Sequence, residues 1–200
     1  MTAGDMSIHI GLTGGIACGK STLAEGLRAR GWHVIDTDAI AHRVLASGTE
    51  TWKNVVDAFG PSILQPDQSI DRKVLGKLVF ADPQQRAKLN EITHPAIRSV
   101  WQHEREERAR THPSQSLAVM IPLLYECALD QAFSNVWCVG ASRRTQISRM
   151  KARGISDEEA AQRLSSQMPV ADKMARANLA FWGEGTPASL LAQLDHVRFA

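Results

Sequence analysis

The chain has 200 residues, 44% hydrophobic and 22% charged, an ordinary balance for a soluble globule of one domain, or of a core carrying an inserted subdomain. No apolar run is long enough to span a bilayer, so no membrane role is expected. A net charge of +2 is too small to imply a nucleic-acid partner. Cys18, Cys127 and Cys138 are odd in number and irregularly spaced, which indicates neither a disulfide framework nor a zinc site and makes a reducing cytoplasm the simplest setting. Met1 to Asp5 lack the basic and apolar regions of a signal peptide, and Met6 is an alternative start, since the residues before it add nothing to the first predicted strand.

That strand is Ser7 to Thr13, with Ile8, Ile10 and Leu12 at alternate positions. It runs into Gly14-Gly15-Ile16-Ala17-Cys18-Gly19-Lys20-Ser21, followed by Thr22. Gly, four residues, then Gly-Lys-Ser is the phosphate-loop pattern. Its glycines let the backbone turn sharply and come close to a phosphate. The loop N–H groups then form a nest at the positive end of the following helix. In that pattern Lys20 neutralises the β and γ phosphates, and Ser21 offers its hydroxyl to Mg²⁺. Leu23, Ala24 and Leu27 share one face of the helix, with Gly31 as its stop. A nucleotide site is therefore expected.

Trp32 to Ile35 form a second strand ending in Asp36-Thr37-Asp38. In an open α/β sheet, ligands sit at the carboxyl ends of strands. Two acids there suit Mg²⁺ waters or a proton from an attacking hydroxyl; alternatively one of them caps a helix beginning near Ala39. From Ala39 to Arg110 the pattern is mostly helical, with Ile40, Ala41, Val44 and Leu45 on one face and Trp52, Val55, Val56 and Phe59 on the next. Gly60-Pro61 is a break and Gln65 to Ser69 a polar turn. Val74, Leu75, Leu78 and Val79 give a third face, Asp82-Pro83 reads as a helix start, and His94-Pro95 repeats that theme. So long a helical stretch between strands suggests an inserted acceptor-binding subdomain.

Ser116 to Ile121 form the next strand, closing on Pro122-Leu123-Leu124-Tyr125-Glu126. A second phosphate-loop motif usually places an acid there. Met120 occupies that position, so the metal leans on Ser21, water and Asp36 or Asp38. After a short strand at Val136 to Val139 come Arg143, Arg144, Arg149, Lys151 and Arg153 without an acid among them. Arg149 and Arg153 are expected on one helix face, as a lid clamping a transferring phosphoryl group; a solvated basic helix is the alternative. No aromatic residues interleave with these cations, which argues against nucleic acid. Ser156 to Glu159 form a capping box, Met168-Pro169 an interruption, Leu179 to Phe181 a last strand, and Thr186-Pro187 opens a final helix.

Taken together, these residues resemble the dephospho-coenzyme A kinase family from about Ile8 to the final helix. The likeness rests on the phosphate loop with Leu12-Thr13, Val34-Ile35-Asp36-Thr37-Asp38, and Ile40-Ala41-His42. It continues through Phe59-Gly60, Asp71-Arg72 with Leu75, Val79-Phe80, and His94-Pro95-Ala96-Ile97-Arg98. Pro122-Leu123-Leu124-Tyr125-Glu126, Gln146 with Arg149 and Arg153, Arg163 with Gln167, and Lys173 complete it. The resemblance implies transfer of the γ-phosphoryl of ATP, with Mg²⁺, to the ribose 3′-hydroxyl of dephospho-coenzyme A. It also implies an α/β fold: a phosphate-loop core on a parallel sheet, a helical coenzyme-binding insert and a helical lid. The expected parts are a core of 6–38, 115–142 and 177–200, an insert of 39–114 and a lid of 143–176. Asp38 becomes the base, Lys20 and the loop hold phosphates, Ser21 holds Mg²⁺, and Arg149 and Arg153 belong to the lid. Arg72, His94 and Arg98 line the acceptor side.

Three departures stand out. Cys18 sits where the family often has Ser, and a thiol at a helix N-terminus is expected to be reactive. Met120 stands where many members carry an acid. Asn178 and Phe181-Trp182-Gly183 replace the family's Ala-Asp and Ile-Asp-Asn, which bears on adenine recognition and on ATP against GTP. A shikimate, gluconate or nucleoside-monophosphate kinase shares the loop, but the His-Pro and Asp-Arg elements favour the coenzyme acceptor. A GTPase would carry an Asn-Lys-x-Asp motif, which the sequence lacks; a binding protein that has lost catalysis is a further alternative. Nothing calls for more than a monomer.

Overall fold

The computed structural model describes residues 7–197, apart from the side chain of Phe80. Met6, the alternative start, and the end of the expected core segment lie outside the described residues. The chain divides into two compact units. One comprises the described residues of Met1–Ile35 and Arg108–Ala200, the other Asp36–Glu107. The expected lid, 143–176, falls within the first.

The first unit is built on strands β1 (His9–Gly14), β2 (His33–Asp36), β3 (Leu117–Met120), β4 (Asn135–Gly140) and β5 (Leu179–Trp182), ordered β2-β3-β1-β4-β5. β1 runs parallel to β3 and β4, and β4 parallel to β5. The chain order turns back around β1, which places a crevice at its carboxyl end. Helices α1 (Lys20–Ala29), α6 (Arg143–Lys151), α7 (Asp157–Ser165), α8 (Val170–Arg176) and α9 (Pro187–Leu194) belong to this unit. Ile10, Leu12, Leu23, Leu27, Val139 and Phe181 are buried together with Leu190 and Leu194 of α9. The Trp137 ring lies 5.5 Å from that of Trp32 and 5.4 Å from that of Phe181, offset-tilted contacts that add to area burial.

Local signals set the ends of these helices. Gly31, at φ 85°, stops α1, as its freedom from a Cβ allows. Thr186 Oγ1 accepts from the Ser189 N–H, with Pro187 at the first position of α9. Ser156 Oγ accepts from Glu159 N–H at the head of α7, but the Glu159 carboxylate turns forward to Arg163 at 2.6 Å. Asn178 Oδ1 accepts from the Val136 N–H (2.8 Å), and the Asn178 N–H donates to the Val136 carbonyl (2.9 Å), so this residue fastens β5 to β4.

The second unit holds α2 (Thr37–Val44), α3 (Glu50–Phe59), a 3₁₀ turn Pro61–Ile63, α4 (Arg72–Ala81) and the larger part of α5 (Pro83–Thr111). Val55, Ile63, Ile70, Leu75 and Val79 make its core, with Trp52, Phe59, Leu89 and Ile92 against them. Gly60 leaves α3 at φ 82°, and the Gln65 N–H closes the polar turn on the Ser69 carbonyl at 2.8 Å. The expected α4 face is divided. Leu75 and Val79 point inward, whereas Val74 and Leu78 are 36% and 41% exposed. Those four positions span about 140° of arc at 100° per residue, and the core covers one side of it.

α5 also departs from expectation. The Asp82 carboxylate accepts from the Gln84 N–H at 2.7 Å, as a helix start should. At His94-Pro95, however, no new helix begins: α5 runs unbroken for 29 residues with Pro95 inside. Pro95 has no N–H for the Glu91 carbonyl, a defect of about 3 kcal/mol in a helix interior. Burial of Thr93 and Trp101 on either side holds the helix through it, as packing outweighs local preference. Among the described residues, no helix is long and apolar enough to cross a membrane.

Candidate active site

β1 delivers the loop and α1 leaves it. Gly14 sits at φ 148°, where an added Cβ would lie 2.2 Å from the Val139 carbonyl oxygen, so no side chain fits. Gly19, at φ 109°, heads α1 without a side-chain cap; the first N–H groups of that helix therefore face outward for an anion. Lys20 Nζ donates to the carbonyls of Gly14 (2.9 Å) and Gly15 (2.7 Å), which puts its ammonium at the loop. Ser21 is exposed in the first turn, with Thr22 half-buried behind it. Ala17 adopts φ 57°, a left-handed conformation that costs a residue with a Cβ about 1–2 kcal/mol.

That conformation is braced from α6. Gln146 Nε2 donates to the Ile16 carbonyl (2.8 Å), and Arg149 donates to the carbonyls of Ala17 (3.1 Å), Gly183 (2.7 Å) and Gly185 (3.3 Å). Arg149 thus ties the phosphate loop to the turn after β5. Arg153 does not share its helix face. Gly154, at φ 78°, and the Ile155 N–H returning to the Met150 carbonyl (3.1 Å) end α6 first, so Arg153 lies exposed in the turn beyond. Glu184 accepts from the Ser142 N–H (2.7 Å) and the Thr145 hydroxyl (2.5 Å). A hydrogen bond with the Ser142 side chain, together with those from Thr145 and the Ser142 N–H, holds its carboxyl down at about 2.

Cys18 overturns the expectation of a reactive thiol. Its side chain is fully buried in the core, and burial pushes the thiol up, outweighing the opposing field of Lys20. Desolvation here defeats the helix N-terminus.

Behind the loop lies a polar knot. Lys173, on α8, is 0% exposed, yet its Nζ reaches the Glu126 carboxylate (2.7 Å) and the Pro122 carbonyl (2.9 Å). The Pro122 carbonyl also accepts from Thr13 Oγ1 (3.2 Å), and Glu126 accepts from the Met168 N–H (2.9 Å). Strand β1, the segment after β3 and α8 therefore meet at an ion pair whose lysine is buried and whose carboxylate reaches solvent. The Arg176 guanidinium lies 4.3 Å from the Tyr125 ring centroid and pairs with Asp130 (3.0 Å). Met120 is buried on β3.

In the second unit, Asp36 is the cap of α2: its Oδ1 accepts from the Asp38 (2.9 Å) and Ala39 (3.3 Å) N–H groups. Asp38 is then exposed in the first turn of that helix. The helix starts two residues earlier than expected, because Asp36 itself does the capping. Arg72 is the exposed first residue of α4, whose cap is Asp71. His94 and Arg98 fall one turn apart on α5 and share a side of it. His94 is half-buried, and that burial lowers its pKa. Gln146, Glu184 and the Glu126–Lys173 pair have structural roles that pattern reading did not assign.

Among the described residues no group of three or more His, Cys, Asp or Glu could hold a metal ion. The donors present still fit Mg²⁺. This cation keeps several waters and takes one or two protein oxygens beside substrate phosphates, and Ser21 offers such an oxygen. The loop as built sets an uncapped helix head beside an ammonium group, an arrangement suited to an anion.

The family model of dephospho-CoA kinase matches residues 8–186. The chain is 42% identical to the dephospho-CoA kinase of Symbiobacterium thermophilum over 93% of its own length and 78% of that protein. It is 42% identical to that of Geobacter sulfurreducens over 94% and 95%. Among solved structures, the dephospho-CoA kinase from Campylobacter jejuni superposes with a TM-score of 0.62 at 26% identity, over 94% of each chain. Shikimate kinase from Acinetobacter baumannii, at 15% identity and a TM-score of 0.56 over 96% of this chain and 92% of that one, shares the fold. The chain belongs to the dephospho-CoA kinase family.

Proposed function

We propose that this chain transfers the γ-phosphoryl group of ATP to the ribose 3′-hydroxyl of dephospho-coenzyme A, giving coenzyme A and ADP. One observation carries the reading: an uncapped α1 head with Lys20 beside it, in a chain matched by the family model over 8–186. Lys20 and the loop N–H groups of residues 14–22 bind the donor phosphates. Ser21, with water and with Asp36 as a further candidate, would hold Mg²⁺, which when bound supplies charge neutralisation at those phosphates. Asp38 takes the proton of the 3′-hydroxyl as its oxygen attacks the γ-phosphorus. The bond to the bridging oxygen breaks, and ADP leaves with the electron pair. Arg72, His94 and Arg98 bind the acceptor. Arg149 keeps the loop in shape, and Arg153, exposed past α6, is the lid arginine for the transferred group.

The protein works in the cytoplasm as a monomer, with the helical insert, 39–114, serving the acceptor and 143–176 acting as lid. The test is ADP release from Mg-ATP with dephospho-coenzyme A, run beside shikimate, gluconate and nucleoside monophosphates. Coenzyme A forming in step with ADP, and only with dephospho-coenzyme A, is the expected result. Release with another acceptor would overturn the role of the insert, and binding of ATP without any release would point to lost catalysis. A parallel run with Mg-GTP addresses the effect of Asn178 and Phe181–Gly183 on base choice.

A further inference from the structure

Peptide geometry makes the phosphate loop depend on its carbonyls. In a trans peptide the N–H points opposite to the C=O. The Ile16 and Ala17 carbonyls are drawn outward by Gln146 and Arg149, which turns the N–H groups of Ala17 and Cys18 back into the loop, the latter toward the Gly15 carbonyl at 3.4 Å. Because Ala17 holds a left-handed φ of 57°, the loop relaxes once those outward bonds weaken. Gln146 and Arg149 both lie on α6, so the placement of that helix fixes the loop.

What places α6 is its first turn. Ser142 caps it internally, accepting from the Thr145 N–H at 3.2 Å. At this end of the helix the link to the rest of the unit is Glu184, which takes the Ser142 N–H with one carboxylate oxygen and the Thr145 hydroxyl with the other. On either side of it, the Gly183 and Gly185 carbonyls accept from Arg149. A charged acceptor holding two donors of one turn is among the stronger kinds of hydrogen bonding. Gly183 presses on the loop itself: an added Cβ there would meet the Cys18 carbonyl oxygen at 2.0 Å. Loop, α6 and the turn after β5 thus close a ring, and Glu184 is its one carboxylate member.

We propose that Glu184 is a positioning residue for the donor nucleotide, holding α6 so that Gln146 and Arg149 keep the phosphate loop in its anion-binding shape. This rests on the loop being the donor site. It predicts a defect confined to the donor, since the acceptor residues Arg72, His94 and Arg98 belong to the other unit.

The test is steady-state kinetics of Glu184→Ala, Glu184→Gln and Thr145→Val, with direct binding of Mg-ATP to the wild type and to Lys20→Ala alongside. Glu184→Ala is expected to raise the KM for Mg-ATP about tenfold, with kcat and the acceptor KM within about twofold of wild type, on the usual worth of charged hydrogen bonds. Glu184→Gln keeps an acceptor for Ser142 and can exchange a bond with the Thr145 hydroxyl, so it restores the donor KM to within about twofold. Thr145→Val, which spares Glu184, gives a rise of about threefold. Mere loss of folded protein would lower apparent kcat and leave KM unmoved. A donor KM within twofold of wild type in both Glu184→Ala and Thr145→Val overturns the proposal, as does an equal rise in the acceptor KM. Wild-type protein that binds no Mg-ATP would instead defeat the donor-site reading, and this proposal with it.

Discussion

Replacing Lys173 by Met keeps an unbranched side chain one atom shorter and removes both its charge and its N–H donors. In the native protein that ammonium is completely buried and bonded to Glu126 and Pro122, while the Glu126 side chain keeps 20% of its exposure. Deleting one partner of a buried pair costs about 3–5 kcal/mol, mostly for the charge left behind. Here Glu126 retains the Met168 N–H and some water, so Lys173→Met is expected near the lower side, at about 2–3 kcal/mol. For a chain of this length that is a fall in Tm of about 4–12 °C. Glu126→Gln strands the fully buried ammonium and is expected to cost more, about 3–5 kcal/mol. The double substitution leaves no unpaired charge and recovers much of the loss. Urea unfolding gives the four midpoints, wild type included, and constant m-values confirm that stability alone has changed. The cycle should return a coupling of at least about 2 kcal/mol; additivity to within about 0.5 kcal/mol would refute the reasoning.

Further expectations concern separate parts of the molecule. Asp38→Asn should lower kcat about 10²–10⁴-fold while Mg-ATP binding is kept; near-normal turnover in a folded variant would discard the base assignment. Alkylating reagents should modify Cys18 slowly with or without Mg-ATP, because its thiol is already buried, and rapid labelling seen by mass spectrometry would contradict that burial. Gly183→Ala must push a methyl into the Cys18 carbonyl, so binding of Mg-ATP, followed calorimetrically, should weaken sharply; wild-type affinity would show the turn to be pliable. His94 has its folded pKa below the unfolded value of 6.5, so the neutral ring favours folding. Its contribution is complete above pH 6.5 and is lost as pH falls through the lower folded value. Comparing wild type with His94→Gln in urea from pH 8 to 5 should show the variant losing less, and parallel curves would be the contrary result.

Much of this was legible because its signals are short-range. The phosphate loop, the Gly31 stop, the Gly60-Pro61 break, and the caps at Asp82, Ser156 and Thr186 each depend on residues a few positions apart. So does the choice between Asp36 and Asp38 as cap, which a helix start two residues earlier resolves. Other features depend on encounters that no local pattern encodes. Arg149 finds the Ala17 carbonyl 132 positions away, Lys173 finds Pro122 at 51, and Thr145 finds Glu184 at 39. The bracing role of Arg149 is hidden in sequence because its acceptors are backbone carbonyls, which every residue possesses. Pro95 misleads for a related reason: the burial of Thr93 and Trp101 that carries α5 past it is tertiary.

The place of β1 in the sheet has a consequence for biosynthesis. Ile8 bonds to Ser116, 108 residues later, and β4 is later still. At ribosomal speeds of about 5–20 residues per second, β1 waits roughly 5–20 s for its first neighbour. The 36–107 unit, being one continuous stretch, can fold during that delay. The strand that carries the phosphate loop therefore spends this interval without its sheet neighbours.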